Sequence, residues 1–142
     1  MANPQFHSNK EFREVMDKTF GLMSDDPTMG PKLRDADVPQ RFEFDDVDLV
    51  LNVRAAQAGE EGCLHWEWTD DIDWKPKVRM TMSSETANKY FQGKENIAMA
   101  IARRRIKTGG DVKASLALIP ITKPLEGKYR GMIEAEYPHL VA

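Results

Sequence analysis

The chain has 142 residues, enough for one domain that buries about two thirds of its unfolded surface and builds a core without staples. Its net charge of −3 argues against nucleic acid as a partner, because phosphate contacts need a basic surface. A lone cysteine, Cys63, leaves no internal disulfide, and the start Met1-Ala-Asn-Pro-Gln5 lacks the basic segment and apolar core of a signal peptide, so a cytoplasmic protein is expected.

Ser8 followed three residues later by Glu11 forms a capping box, and Phe12, Val15, Met16, Thr19, Phe20 and Met23 recur at helical spacing. This predicts a helix over 9–23. Asp25-Asp26-Pro27 is a second start signal, which predicts a short helix over 28–34 before Pro39. The two helices make an N-terminal extension, residues 1–38, to a single domain over 1–142.

From Arg41 the period changes to two. Phe42 and Phe44 share one face, and Leu49, Leu51, Val53 and Ala55 alternate with Val50, Asn52 and Arg54. Asp45-Asp46 either bends one long strand or separates two short ones. After the turn Gly59-Glu-Glu-Gly62, Leu64, Trp66 and Trp68 alternate with Cys63, His65, Glu67 and Thr69, as in an antiparallel sheet covered by helices on the Trp66 side only. Asp70 to Pro76 reads as a solvated loop, Val78, Met80 and Met82 line one face of the next strand, and Ser83 or Ser84 caps a helix carrying Ala87, Tyr90 and Phe91.

Gly93 takes the left-handed conformation that closes this helix. The block Ile97, Ala98, Met99, Ala100, Ile101, Ala102 is too short to cross a membrane and is rich in helix formers, so a short buried helix is expected. A strand over 105–108 follows, then a Gly109-Gly110 turn, and Asp111 caps a helix on which Val112, Leu116 and Ile119 share a face until Pro120 limits it. Leu125, Tyr129, Met132 and Ile133 form one apolar stripe on a last helix over 124–135. Its late position, and Gly127 and Gly131, predict a movable cover outside the minimal core.

The chemical alternatives are weak. Cys63, His65 and Glu67 share a strand face and offer sulfur, nitrogen and oxygen to a metal, but no second ligand cluster is near in sequence and a solvated face explains them. His7 and His139, near the chain ends, read as exposed. There is no Gly-x-Ser-x-Gly elbow, no dinucleotide or P-loop spacing around Gly109-Gly110, and Asp70, Asp71 and Asp73 lack the rest of a calcium loop. Neither a catalytic residue nor a metal or other cofactor is expected. Arg103-Arg104-Arg105 with Lys107 offers transient attraction to anionic head groups, without an integral membrane segment.

One run resembles a known family. Gly93-Lys94, Asn96, Met99-Ala100, the Lys107 strand, Gly110-Asp111, Ala117-Leu118 and the Pro-Ile-Thr-Lys-Pro-Leu segment from Pro120 to Leu125 stand in the order and spacing of the sterol carrier protein domain, the type-two nonspecific lipid-transfer module. The strand ending Arg79-Met-Thr-Met-Ser83, followed at once by a helix with Tyr90-Phe91, is similar too, so the resemblance covers roughly 42–133. Arg104 departs from it, standing where many members have glycine, and Thr108 stands where an apolar residue usually points inward. The C-terminus Pro138-His-Leu-Val-Ala142 differs from the peroxisomal address of many animal members, which is the pattern of the bacterial stand-alone type.

The resemblance implies an α/β (α+β) fold with a curved, largely antiparallel sheet of about five strands, covered on one face by helices. It implies an apolar tunnel that holds a fatty acid, fatty acyl thioester, sterol or isoprenoid without catalysis. Residues expected along that tunnel are Trp66, Trp68, Met80, Met82, Phe91, Ile97, Met99, Ile101, Leu116, Ile119, Leu125 and Met132. A module that escorts substrate to a lipid- or quinone-modifying partner enzyme is the alternative.

Overall fold

In a computed structural model, residues 5–142 are described; Met1 to Pro4, most of the stretch read above for a signal peptide, lie outside the described residues. Helix α1, Asn9–Asp25, starts where the Ser8 side chain accepts the Glu11 N–H, and buries the whole expected stripe of Phe12, Val15, Met16, Thr19, Phe20 and Met23. Glu11 closes its half of the cap on the backbone N–H of His7 instead of Ser8. Helix α2, Met29–Ala36, begins one residue later and ends two residues later than expected, and Asp26 of the start signal serves it, its carboxylate accepting the N–H groups of Met29 at 2.7 Å and Thr28 at 2.9 Å. Those two bonds, with Lys128 beside them, hold the Asp26 pKa below its ordinary value.

Five strands follow the period-two pattern: β1, Gln40–Phe44; β2, Leu49–Ala55; β3, Leu64–Glu67; β4, Val78–Met82; and β5, Lys107–Gly110. Asp45-Asp46 thus lies in a turn between two separate strands. The sheet order is β3-β2-β1-β4-β5, antiparallel throughout except for the central β1–β4 pair, which is parallel. Register places Phe42 opposite both Leu51 and Met80, and Met80 opposite Thr108, so one row of inward positions crosses four strands. Thr108 therefore faces inward, as its sequence position implied.

Strand β5 sits two residues later than expected. Gly109 and Gly110 are ladder residues, not a turn, because the backbone there meets β4 too closely for a side chain: a Cβ on Gly110 would lie 2.4 Å from the Lys77 carbonyl oxygen, at a φ of +78°. Asp111 then donates its N–H to that same carbonyl and caps the next helix as expected.

The remaining helices are α3, Ser84–Phe91; α4, Ile97–Ala102; α5, Val112–Leu116; α6, Ile119–Thr122; and α7, Leu125–Glu136; a 3-10 turn, Pro138–Leu140, ends the chain. Ser83, Asn96 and Asp111 cap α3, α4 and α5 through side-chain oxygens. Pro120 does not end α5 but sits in the first turn of α6, where its missing N–H costs nothing. Among the described residues no helix is long and apolar enough to cross a membrane.

The outer sheet face is not left wholly to solvent. The segment 69–77 folds over it, so that Asn52 is buried with its Nδ2 donating to the Thr69 carbonyl at 2.6 Å, and Trp74 lies 4.9 Å from the Arg54 guanidinium. Arg54 also makes a two-pronged bond with Glu60, at 2.7 and 3.0 Å, which lowers the Glu60 pKa to about 2.

Candidate functional site

Between the inner sheet face and the helices lies a cavity of about 660 Å³, within the ~300–1,000 Å³ span of small-molecule sites. Phe42, Phe44, Val53, Leu64, Met80 and Met82 form its floor. Phe20 and Met23 of α1, Leu33 of α2, Phe91, Ile106, Leu118 and Leu125 form its walls. These side chains point inward by strand alternation and helix periodicity, but the helices after β4 are too short to fill the space above the sheet. Phe42 stays half-buried for that reason, although it packs on the core and its ring runs parallel to that of Phe44.

The rim is polar. Lys94, Glu95 and Asn96 follow α3, and Thr122, Lys123 and Glu126 face them from α6 and the start of α7. Gly93 makes that approach feasible, because at φ +75° it closes α3 and a Cβ there would meet the Glu126 carboxylate at 2.8 Å. Glu126 pairs with Lys123 at 3.0 Å, and Arg105 grips Glu95 through two bonds of 3.0 and 2.7 Å, tying the two ends of α4 together. Arg103 and Arg104 remain exposed. Arg104 has φ +59°, the left-handed backbone for which glycine is the natural residue. On the cavity wall, burial pushes the Tyr90 hydroxyl pKa above its ordinary value.

Seven of the twelve residues expected along the tunnel line this cavity: Met80, Met82, Phe91, Ile97, Leu116, Ile119 and Leu125. Trp66, Trp68, Met99, Ile101 and Met132 are absent from its lining. Trp66 and Trp68 do face the helices, but α1 covers them: both indole N–H groups donate to Asp17, at 3.0 and 2.7 Å, and Phe20 lies beside Trp66. Ile101 and Met132 pack on the core elsewhere. Helix α4 is not the buried helix its composition predicts; Ala100 alone is fully buried, and Met99 is 45% exposed. Its six residues give one thin apolar edge, and the alanines leave the rest bare.

Sequence reasoning left out Phe20, Met23, Leu33, Phe42, Phe44, Val53, Leu64, Tyr90, Ile106 and Leu118. The inward alternation of Phe42, Phe44 and Val53 was already visible, and it is the signal that finds the floor. Ile106 gives little warning, since a lone isoleucine between Arg105 and Lys107 looks like a surface residue, yet it is buried.

Helix α7 is also not a cover. Leu125, Tyr129 and Ile133 are buried, the helix packs on α1 and α3, and the Tyr129 hydroxyl donates to the Asn88 side chain at 2.6 Å. Burial of Leu125 and of Ile133 stabilises the fold by about 1.5–3 kcal/mol each. Amide exchange is therefore expected to be slow in α7 whether or not the cavity is filled, and fast in α4, α5 and α6, which bury few side chains, while it is empty. Weak protection confined to α7 in the empty protein would reverse this assignment.

Elsewhere the metal reading of the β3 face fails on geometry. The Cys63 sulfur lies against Gly30 and Arg34, while His65 binds Glu67 at 2.9 Å and Glu60 at 3.3 Å, so the three groups do not converge.

No family model matches the chain, and no curated protein matches it in sequence. Solved structures do match. A sterol carrier protein domain 2 from Helicoverpa armigera aligns over 89% of this chain and 96% of its own length, at 16% identity and a TM-score of 0.54. The fold is that of a sterol carrier protein. A ubiquinone synthesis protein described as UbiJ-SCP2 aligns over 81% of this chain and 95% of its own, at 9% identity and a TM-score of 0.60. The inverting sec-alkylsulfatase Pisa1 from Pseudomonas sp. aligns over 65% of this chain, at 17% identity and a TM-score of 0.54. This chain spans only 14% of that enzyme's length.

Proposed function

We propose that this protein binds a hydrophobic ligand in the cavity above the sheet and carries or presents it without covalent chemistry. The ligand class is a fatty acid, fatty acyl thioester, sterol or isoprenoid. The observation that carries the reading is the 660 Å³ hollow, floored by Phe42, Met80 and Met82 and rimmed by Lys94, Glu95 and Lys123. Apolar walls take the tail by the hydrophobic effect, and the polar rim keeps a head group in water. Met80 and Met82 suit tails of differing shape, because the thioether side chain is flexible and polarisable. Among the earlier expected residues, Met80, Met82, Phe91, Ile97, Leu116, Ile119 and Leu125 carry the contact.

On this reading the whole chain is one binding unit, and the N-terminal helices are part of it through Phe20, Met23 and Leu33. The setting proposed is cytoplasmic, as the sequence leads one to expect. Contact with a membrane surface is transient and uses the exposed Arg103, Arg104 and Lys107.

A second reading is that the protein scaffolds a lipid- or quinone-modifying enzyme. It is favoured by the likeness to a ubiquinone synthesis protein and by two apolar side chains left exposed near the rim, Met99 at 45% and Leu116 at 38%. Solvent extraction of the purified protein followed by mass spectrometry separates the two. A co-purifying lipid near one equivalent is expected. An empty protein that also fails to take up a fluorescent fatty acid would overturn carriage.

A further inference from the structure

The two histidines that look like loose ends in the sequence meet in space. The rings of His7 and His139 stack with centroids 3.8 Å apart and planes 10° apart, and both face the carboxylate of Glu11. Glu11 Oε1 lies 2.7 Å from His139 Nε2, and Oε2 lies 3.6 Å from His7 Nδ1. One donor atom from each of the three falls within 4.8 Å of the others. The cavity and its rim use none of them.

Zinc binds imidazole nitrogen and carboxylate oxygen at about 2.0–2.2 Å, which sets neighbouring donors roughly 3–3.5 Å apart around a tetrahedral ion. The three donor atoms, within 4.8 Å of one another, already lie close to this spacing. Glu11 is already fixed, because it sits in the first turn of α1 and accepts the His7 N–H at 3.0 Å. His139 is fixed from behind, since the Leu140 carbonyl accepts from both Asn88 and Gln92 and the Tyr137 hydroxyl bonds Lys18 and Glu14. The His7 side chain, 69% exposed, is the freest of the three to turn toward an ion.

We infer that His7, Glu11 and His139 form a binding site for a zinc-class divalent transition-metal ion, which pins the closing 3-10 turn to the first turn of α1. Two imidazoles and one carboxylate select zinc, nickel or copper over calcium and magnesium, which prefer all-oxygen sets. Among the described residues the site supplies three ligands, one short of a tetrahedral set. The ion joins residues at opposite ends of the sequence, so its binding adds directly to fold stability.

The full chain without a histidine tag, stripped by chelator and held near neutral pH, should take up one equivalent of zinc in calorimetric titration and melt at a higher temperature with zinc present. Cobalt in its place should give visible d–d bands of a mixed nitrogen and oxygen site. His7→Ala, at an exposed position that the fold does not need, should weaken uptake by more than about tenfold, and so should His139→Ala. His65→Ala, which removes the third of the three histidines, should leave it unchanged. No saturable uptake below about 100 µM, or uptake that survives His7→Ala or disappears with His65→Ala, overturns the site and leaves a hydrogen-bonded histidine pair.

Discussion

Asn88→Leu is expected to lower the unfolding free energy by on the order of 3 kcal/mol, and urea denaturation is the measurement that reads it. Asn88 is buried on α3, where its Oδ1 accepts the Tyr129 hydroxyl at 2.6 Å and its Nδ2 donates to the Leu140 carbonyl at 2.8 Å. The side chain thus joins α3, α7 and the end of the chain in one buried network. Leucine keeps the volume but orphans the fully buried Tyr129 hydroxyl, and such a group costs about 1–3 kcal/mol. Leu140 keeps one partner, Gln92 at 2.9 Å, which limits the loss on that side. Adding Tyr129→Phe to Asn88→Leu should recover part of the stability, because both halves of the pair are then apolar. A double variant no better than the sum of its parts would show that the hydroxyl is satisfied in some other way. The same burial raises the Tyr129 pKa. The folded chain therefore holds this proton where the unfolded chain releases it. The stabilisation is intact below the ordinary tyrosine pKa of about 10 and is lost as pH rises above it.

Val53→Trp should weaken binding of a fluorescent fatty acid by at least about tenfold while the protein still folds. Val53 is buried at the centre of β2, opposite Trp66 on one neighbour and Gln40 on the other, and it lines the cavity floor. In a filled core an indole at this position would cost about 1–3 kcal/mol in strain. Here it projects into open volume and takes the space that the tail needs. Ala102→Trp, at an exposed position on α4, is the matched control and should bind normally. Unchanged affinity in a folded Val53→Trp protein would place the ligand outside this hollow.

Much of the scaffold is legible in the sequence because it is written in local periodicity. The stripe from Phe12 to Met23 names the buried face of α1, and Phe42, Phe44, Leu51 and Val53 name the inward face of the sheet. Sequence and structure part where one local pattern admits two contexts. Gly109-Gly110 has the composition of a turn, and only the closeness of Lys77, distant in sequence, makes it a strand. Ile97 to Ala102 has the composition of a core helix, and only its position at the rim leaves Met99 bare. The apolar stripe of α7 is plain in the sequence, but whether a stripe rests on a hollow or on α1 and α3 is a tertiary fact. The same limit applies to the site. Alternation shows that Trp66 faces the helices, while α1 and Asp17 decide that it meets protein and not the cavity. A void has no residues of its own, so periodicity reveals its walls and not its extent.

The lining of the hollow runs from Phe20 to Glu126, and its floor depends on β1 pairing in parallel with β4, a strand reached only after the β2–β3 hairpin and a long return loop. No piece shorter than the stretch from Phe20 to Glu126 contains the whole lining. Occupancy and folding are then a single linked equilibrium: a ligand at one hundred times its dissociation constant adds about 2.7 kcal/mol to the native state, comparable to the whole Asn88 network. Under the proposed function, the steady-state amount of this protein in a cell follows the supply of its cargo, because chains that find none spend more time open to proteolysis.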